Sequence, residues 1–199
     1  MFDMARESYK IAEKKAQELL KEISPKLGML DTDKVVALVQ DKTKYKVKVY
    51  RADFSELGID GIENLGGFIS VIKKKESSSD GIAAIYLNSK NSPQMMRFSL
   101  MHEVGHLMTM DLEKLKVGHA LASPHISANI YYLNEEKIGN DKFLEDEQAA
   151  NIFALSILMP EDKFLTACKQ FAIEDLAGIF GVTPEAVLSR CYMLMSENG

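Results

Sequence analysis

The sequence predicts an α+β fold: N-terminal helices, a small three-stranded antiparallel sheet, then helices to the end. Three observations carry this. Apolar residues recur at helical spacing near the start, alternate with polar ones near residue 45, and return to helical spacing after residue 92. A chain of 199 residues holds one domain with room for a small appendage. The expected division is a main domain over 1–165 and a helical module over 166–199 packed on it.

Tyr9, Ala12, Ala16, Leu19 and Ile23 share one helix face, and Pro25 ends that first helix. "DTDKVVALVQ" reads as a short second helix capped by Asp31 or Thr32. In "YKVKVY", Tyr45, Val47 and Val49 alternate with Lys46 and Lys48, the pattern of a half-buried strand. "GFISVI" (67–72) and "IAAIYL" (82–87) are two more strands, and "KKKESSSDG" between them reads as a solvated hairpin loop. Ser92 and Pro93 open the next helix as N-cap and first helical residue. Residues 111–140 have no clear period. "KFLEDEQAANIFALSILMP" is a helix stopped by Pro160. "IEDLAGIFGVTPEAVLSRCYML" reads as helix, turn at Gly181, helix, a helix-turn-helix-like pair.

Composition narrows the function. A net charge of -5 argues against a general pull toward nucleic acid. The second helix of the C-terminal pair carries one basic residue, Arg190, which is too few for phosphate contacts, so DNA binding is not expected. Cys168 and Cys191 have no CxxC spacing; they read as core thiols of a protein in a reducing compartment. The first twenty residues lack the apolar core of a secretory signal, and no apolar run is long enough to span a bilayer. The expectation is a cytoplasmic protein with no membrane partner.

The chemistry concentrates in "RFSLMHEVGHLMTM". On a helix, His102 and His106 lie one turn apart on the same face, so both imidazoles can reach one point. Zinc takes such nitrogens at about 2.0–2.1 Å. Glu103 is one step around the helix, placed to take a proton from a water held at the metal's open position. Gly105 costs about 1 kcal/mol relative to Ala inside a helix, which points to another element approaching closely there.

A catalytic zinc needs a third protein ligand. The best source is "EDEQAANIFA", where Glu147 and Asn151 share a face. Glu147 would ligate, and Asn151 would hydrogen-bond a ligand histidine from behind. Glu145 and Asp146 compete with Glu147 for the role, although a helix N-terminus favours acidic residues anyway. Ala149, Ala150 and Ala154 would let this helix pack on the first.

Together, "RFSLMHEVGH" and "EDEQAANIFALSILMP" resemble the ImmA/IrrE family of zinc-dependent peptidases. That resemblance covers roughly residues 81–195. It implies a small zincin-like metallopeptidase fold, with one zinc ion per chain on His102, His106 and Glu147, Glu103 as the catalytic glutamate, and Asn151 at the family's asparagine. Two positions depart from the family pattern: Met110 stands where many relatives have histidine, and Ala149 where they often have glutamate. The resemblance also implies a protein substrate, a helix-turn-helix repressor of a mobile element or a DNA-damage response.

The resulting reading is a zinc endopeptidase. The alternative is a non-enzymatic regulator that keeps the metal helix as scaffold and acts by binding; the intact Glu103 argues against it. Oxyanion donors are sought in 111–140, with His119, His125, Tyr131 and Tyr132 as candidates. Strand 82–87 leads directly into the metal helix. If it were the sheet edge, an extended substrate could pair with it.

Overall fold

The computed structural model describes residues 2–43, 45–57, 62–72, 81–109, 120–123 and 141–197. Helix α1 (Phe2–Ile23) ends where expected, and Ser24 follows with a positive φ of 47°. Helix α2 (Thr32–Thr43) starts at Asp31, whose carboxylate accepts from the backbone N–H groups of Asp33 and Lys34. Helix α3 (Pro93–Thr109) starts at Ser92, whose hydroxyl accepts from the Met95 N–H at 3.2 Å. Helix α4 (Asp141–Leu158) stops at Met159-Pro160.

The three expected strands form: β1 (Tyr45–Ala52), β2 (Gly67–Ile72) and β3 (Gly81–Asn88). The sheet departs from the expectation in two ways. A short fourth strand, β4 (Ala120–Ser123), joins it, and the order is β1-β3-β2-β4. The pairings of β2 with β3 and β4 are antiparallel, but β1 runs parallel to β3, so the sheet is mixed. The physical reason is the strand order. β1 and β2 lie one strand apart and run in opposite directions, so β3, antiparallel to β2 and seated between them, is parallel to β1.

This order overturns the docking idea for 82–87. Strand β3 is flanked by β1 and β2, and both sets of its backbone groups are used in the ladders. Ala83, Ala84, Ile85, Leu87 and Asn88 are buried, as expected for an interior strand. The edges among the described strands are β1 and β4.

One face of the sheet packs on the helices through Ile69, Val71, Ala83, Ile85 and Leu87. The other carries an aromatic ladder. Tyr50 stacks on Tyr86 (centroids 5.1 Å apart) and Tyr86 on Phe68 (4.7 Å), because the register sets them opposite one another. Phe54 meets Phe68 and closes this end together with Ile62 and Leu65. Buried Asn88 holds the corner: its amide donates to the carbonyls of Glu63 and Leu65, both at 3.1 Å. That fixes the entry into β2 at Gly67.

Helix α1 lies along α4. Ala12, Ala16 and Leu19 are fully buried, and the two alanines let the helices approach. Helices α5 (Glu161–Cys168), α6 (Ile173–Phe180) and α7 (Pro184–Glu197) finish the chain. Gly181 takes the left-handed conformation (φ 64°) that ends α6. Leu176, Phe180, Val187 and Leu194 belong to the same hydrophobic core as Leu100, Met101 and Val104 of α3. The expectation that both cysteines are core thiols fails for Cys168, which is exposed, whereas Cys191 is half-buried and packs against the core. No helix among the described residues is long and apolar enough to cross a membrane.

Candidate metal centre

Helix α3 is buried from Ser99 through Leu107. The sheet, α1, α2 and α4 all pack on it. A helix enclosed in this way should be apolar all round. Instead it buries His102 (7% exposed), Glu103 (1%) and His106 (2%). Three buried titratable groups within five residues need a partner, and α4 brings it.

Gly105 sets how close α4 comes. A Cβ on Gly105 would lie 2.9 Å from both the Cα and the carbonyl oxygen of Ala150, and 3.2 Å from the Phe153 Cβ. Only a residue without a side chain allows this crossing. The expected small residues Ala149, Ala150 and Ala154 are all buried in the same contact region. The crossing carries Glu147, itself 3% exposed, to the two histidines.

The geometry is that of a ligand set. His106 Nε2 is 3.1 Å from His102 Nε2 and 3.1 Å from Glu147 Oε1, and His102 Nε2 is 3.4 Å from Glu147 Oε2. A tetrahedral zinc with bonds of about 2.0–2.1 Å needs ligand atoms about 3.3–3.4 Å apart. The two nitrogens and the two Glu147 oxygens that face them therefore already stand at separations close to the edges of such a tetrahedron. Two imidazoles and one carboxylate are also the donor types of a catalytic zinc. The group could hold one metal ion.

Asn151 Oδ1 lies 2.8 Å from His102 Nδ1. With Nδ1–H donating to that oxygen, the Nε2 lone pair of His102 points at the cluster. Burial works to neutralise both imidazoles, and for His106 it prevails and the pKa falls. For His102, burial is outweighed by the Glu147 hydrogen bond and the Glu103 charge, and the pKa rises. Burial would also raise Glu147, but hydrogen bonds to both histidines hold it down at about 2. The carboxylate is thus ready to ligate across the physiological range.

The competitors of Glu147 fall elsewhere. Glu145 accepts a hydrogen bond from Ser8 on α1 and faces that helix, and Asp146 is not in the ligand group. The other side of Glu103 is lined by Gly67, where a Cβ would lie 3.6 Å from Glu103 Cγ and 2.8 Å from the Tyr86 carbonyl oxygen. His119, His125, Tyr131 and Tyr132 lie outside the described residues.

Sequence reasoning missed three supports. Lys15 on α1 donates to the Met108 carbonyl, placing a cation at the C-terminal end of α3, where the helix dipole favours it. Arg97 donates to the carbonyls of Leu30 (2.9 Å) and Gly181 (3.1 Å), tying the start of α3 to the N-terminal helices and the C-terminal turn. Arg190, 1% exposed, donates to Met159 O and Ser156 Oγ of the α4 end, both at 3.2 Å, and lies 3.8 Å from Glu13 Oε1 of α1. For Arg190 a signal existed: a lone arginine in the apolar run "AVLSRCYML".

Comparison with protein families gives one match. The family described as Peptidase_M78, IrrE N-terminal-like domain, matches residues 68–192, more than half of the chain. A comparison with curated proteins gives no match. The matched range starts one residue after Gly67 and contains the whole ligand group, but leaves out α1, α2 and β1.

Proposed function

Since the chain belongs to the IrrE N-terminal-like family of peptidases, we propose that it is a zinc-dependent endopeptidase acting on a helix-turn-helix repressor. One observation carries the enzymatic reading. His102, His106 and Glu147 converge from two helices in a buried site, and Glu103 sits beside them on the same helix as the histidines.

His102, His106 and Glu147 would hold the ion. Bound there, zinc acidifies a water and polarises a peptide carbonyl. The rest falls to the chain. Asn151 fixes the His102 ring so that its Nε2 faces inward. Glu103 accepts the proton of the attacking water and returns it to the leaving amine nitrogen as the peptide bond breaks. Its burial excludes bulk water, so a proton taken from the attacking water is kept for the leaving group. The repressor as substrate rests on the family resemblance alone.

The test separates the base from the ligands. Purified protein is expected to hold about one zinc per chain by elemental analysis. Glu103→Gln should keep that zinc and lose cleavage of a purified helix-turn-helix repressor, read as fragments by mass spectrometry. A gene for such a repressor beside this one would name the first substrate to try. Equal cleavage by the Gln variant would sink the mechanism and favour the scaffold reading, in which the protein acts by binding alone.

A further inference from the structure

The C-terminal helices carry a surface that the metal site does not use. Ten large hydrophobic side chains are well exposed among the described residues, and four of them, Leu165, Phe171, Tyr192 and Met195, belong to α5, its C-terminal end and α7. Tyr192 is 60% and Met195 71% exposed. With half-buried Leu188 they occupy i, i+4 and i+7, one continuous stripe along α7. Leu165 lies one turn before Cys168 on α5, and Phe171 just beyond it. The Cys191 thiol adds to burial in raising the pKa of Cys168, so the two thiols lie close and the exposed sides of α5 and α7 adjoin there. The result is one apolar patch with the cysteines at its seam, of the kind that marks an interaction site.

The charges around it select the partner. Glu161 precedes Leu165 by one turn, Glu185 precedes Leu188 by nearly one, and Glu174 and Asp175 follow Phe171; all are exposed. On the other side of the balance are Lys163, which pairs with its neighbour Asp162 at 3.2 Å, and exposed Lys169. The one arginine of the region, Arg190, is buried. Placement in first helical turns explains why each acid is tolerated; it does not explain why the described surface of these helices offers so little positive charge in return. Exposed acids on these helices repel phosphates and anionic lipid headgroups. They attract a protein whose own apolar stripe is flanked by lysine and arginine.

We propose that the α5–α7 patch docks a basic protein partner through an amphipathic helix, with Tyr192 and Met195 as the apolar anchors. The site lies apart from the ligand residues and would act whether or not the metal centre hydrolyses peptides.

The probe is a fluorescent synthetic helical peptide with a leucine stripe flanked by Lys and Arg, titrated with the whole zinc-loaded protein. The expected result is saturable one-to-one binding that weakens with salt, and that weakens at least about tenfold in Tyr192→Glu/Met195→Glu. Zinc content and melting temperature should stay as in the parent, since both side chains are exposed. Should that variant fail to fold, Leu165→Glu takes its place. Unchanged binding by the variant, or equal binding of a peptide with Glu in place of Lys and Arg, overturns the proposal. So does a dimer in sedimentation that the same substitutions convert to monomer, because the occupant is then a second copy.

Discussion

Two buried polar clusters lie at opposite ends of α4, and they are built on opposite principles. At its C-terminal end Arg190 brings its own positive charge, and the chain meets it with a carbonyl, a hydroxyl, a thioether and the Glu13 carboxylate. At its N-terminal part, Glu147 meets two imidazoles whose Nε2 atoms turn toward the same point. The first cluster is closed: the cation and its acceptors all come from this chain. The second is arranged around a place where a cation from outside would complete it. Burial alone therefore does not separate structural charge from functional charge. The direction in which the ligand atoms converge does.

The largest expected effect breaks the closed cluster. Arg190→Ala leaves Glu13 and three acceptors without their partner, and should cost about 3–5 kcal/mol in urea unfolding. Pairing Arg190→Met with Glu13→Leu should recover part of that loss, since no isolated charge is left behind. If Arg190→Ala is harmless, the cluster is not the clamp described. At the open cluster the first casualty is the ion. Glu147→Gln should lower zinc affinity by more than the roughly 10–100-fold typical of a supporting residue, measured by competition with a chromogenic chelator. If Glu145→Gln or Asp146→Asn does this instead, the third ligand has been misassigned.

Gly105→Ala tests the crossing that joins α3 to α4. The added methyl meets backbone at 2.9 Å, so about 1–3 kcal/mol of overpacking is expected, together with weaker zinc binding. Asn151→Ala should cost about 10–100-fold in zinc affinity with little change in stability, whereas Asn151→Asp, which keeps an acceptor for His102 Nδ1, should cost less.

The smallest effect is the pH response of the metal-free protein. Glu147 titrates at about 2 in the fold, below its ordinary value of 4.5. A depressed carboxylate stabilises above its unfolded pKa, and that stability is lost as pH falls through the folded one. The gap in urea midpoint between the parent and Glu147→Gln should therefore be steady above pH 4.5 and shrink toward pH 2. A gap that widens on acidification would contradict the hydrogen-bonded carboxylate described here.

How much of this could be read from the sequence follows from the range of each interaction. His102, Glu103 and His106 were legible because one helix sets their spacing, and Glu147 with Asn151 because a second helix repeats the same interval. Ser92 and Asp31 were legible as caps because capping is local. The parallel placement of β1 was not, since strand order depends on which edge is free when the hairpin arrives. The place of β3 stays open in the sequence for the same reason: its apolar run suits an edge or a centre until its neighbours are known. Lys15, Arg97 and Arg190 escaped because each acts on backbone carbonyls far away in sequence, and carbonyls leave no mark in a side-chain pattern.

Helix α1 has a consequence in time. Its anchor to the metal helix is 93 residues downstream, from Lys15 to Met108, and its anchor to α4 is 137 residues downstream, from Ser8 to Glu145. At about 5–20 residues per second of translation, α1 waits on the order of ten seconds before α4 has been made. Through that interval Ala12, Ala16 and Leu19 lack the surface that buries them in the finished protein. The group of His102, His106 and Glu147 is not complete until Glu147 has left the ribosome, so any metal ion it holds follows, and does not guide, the folding of the N-terminal half.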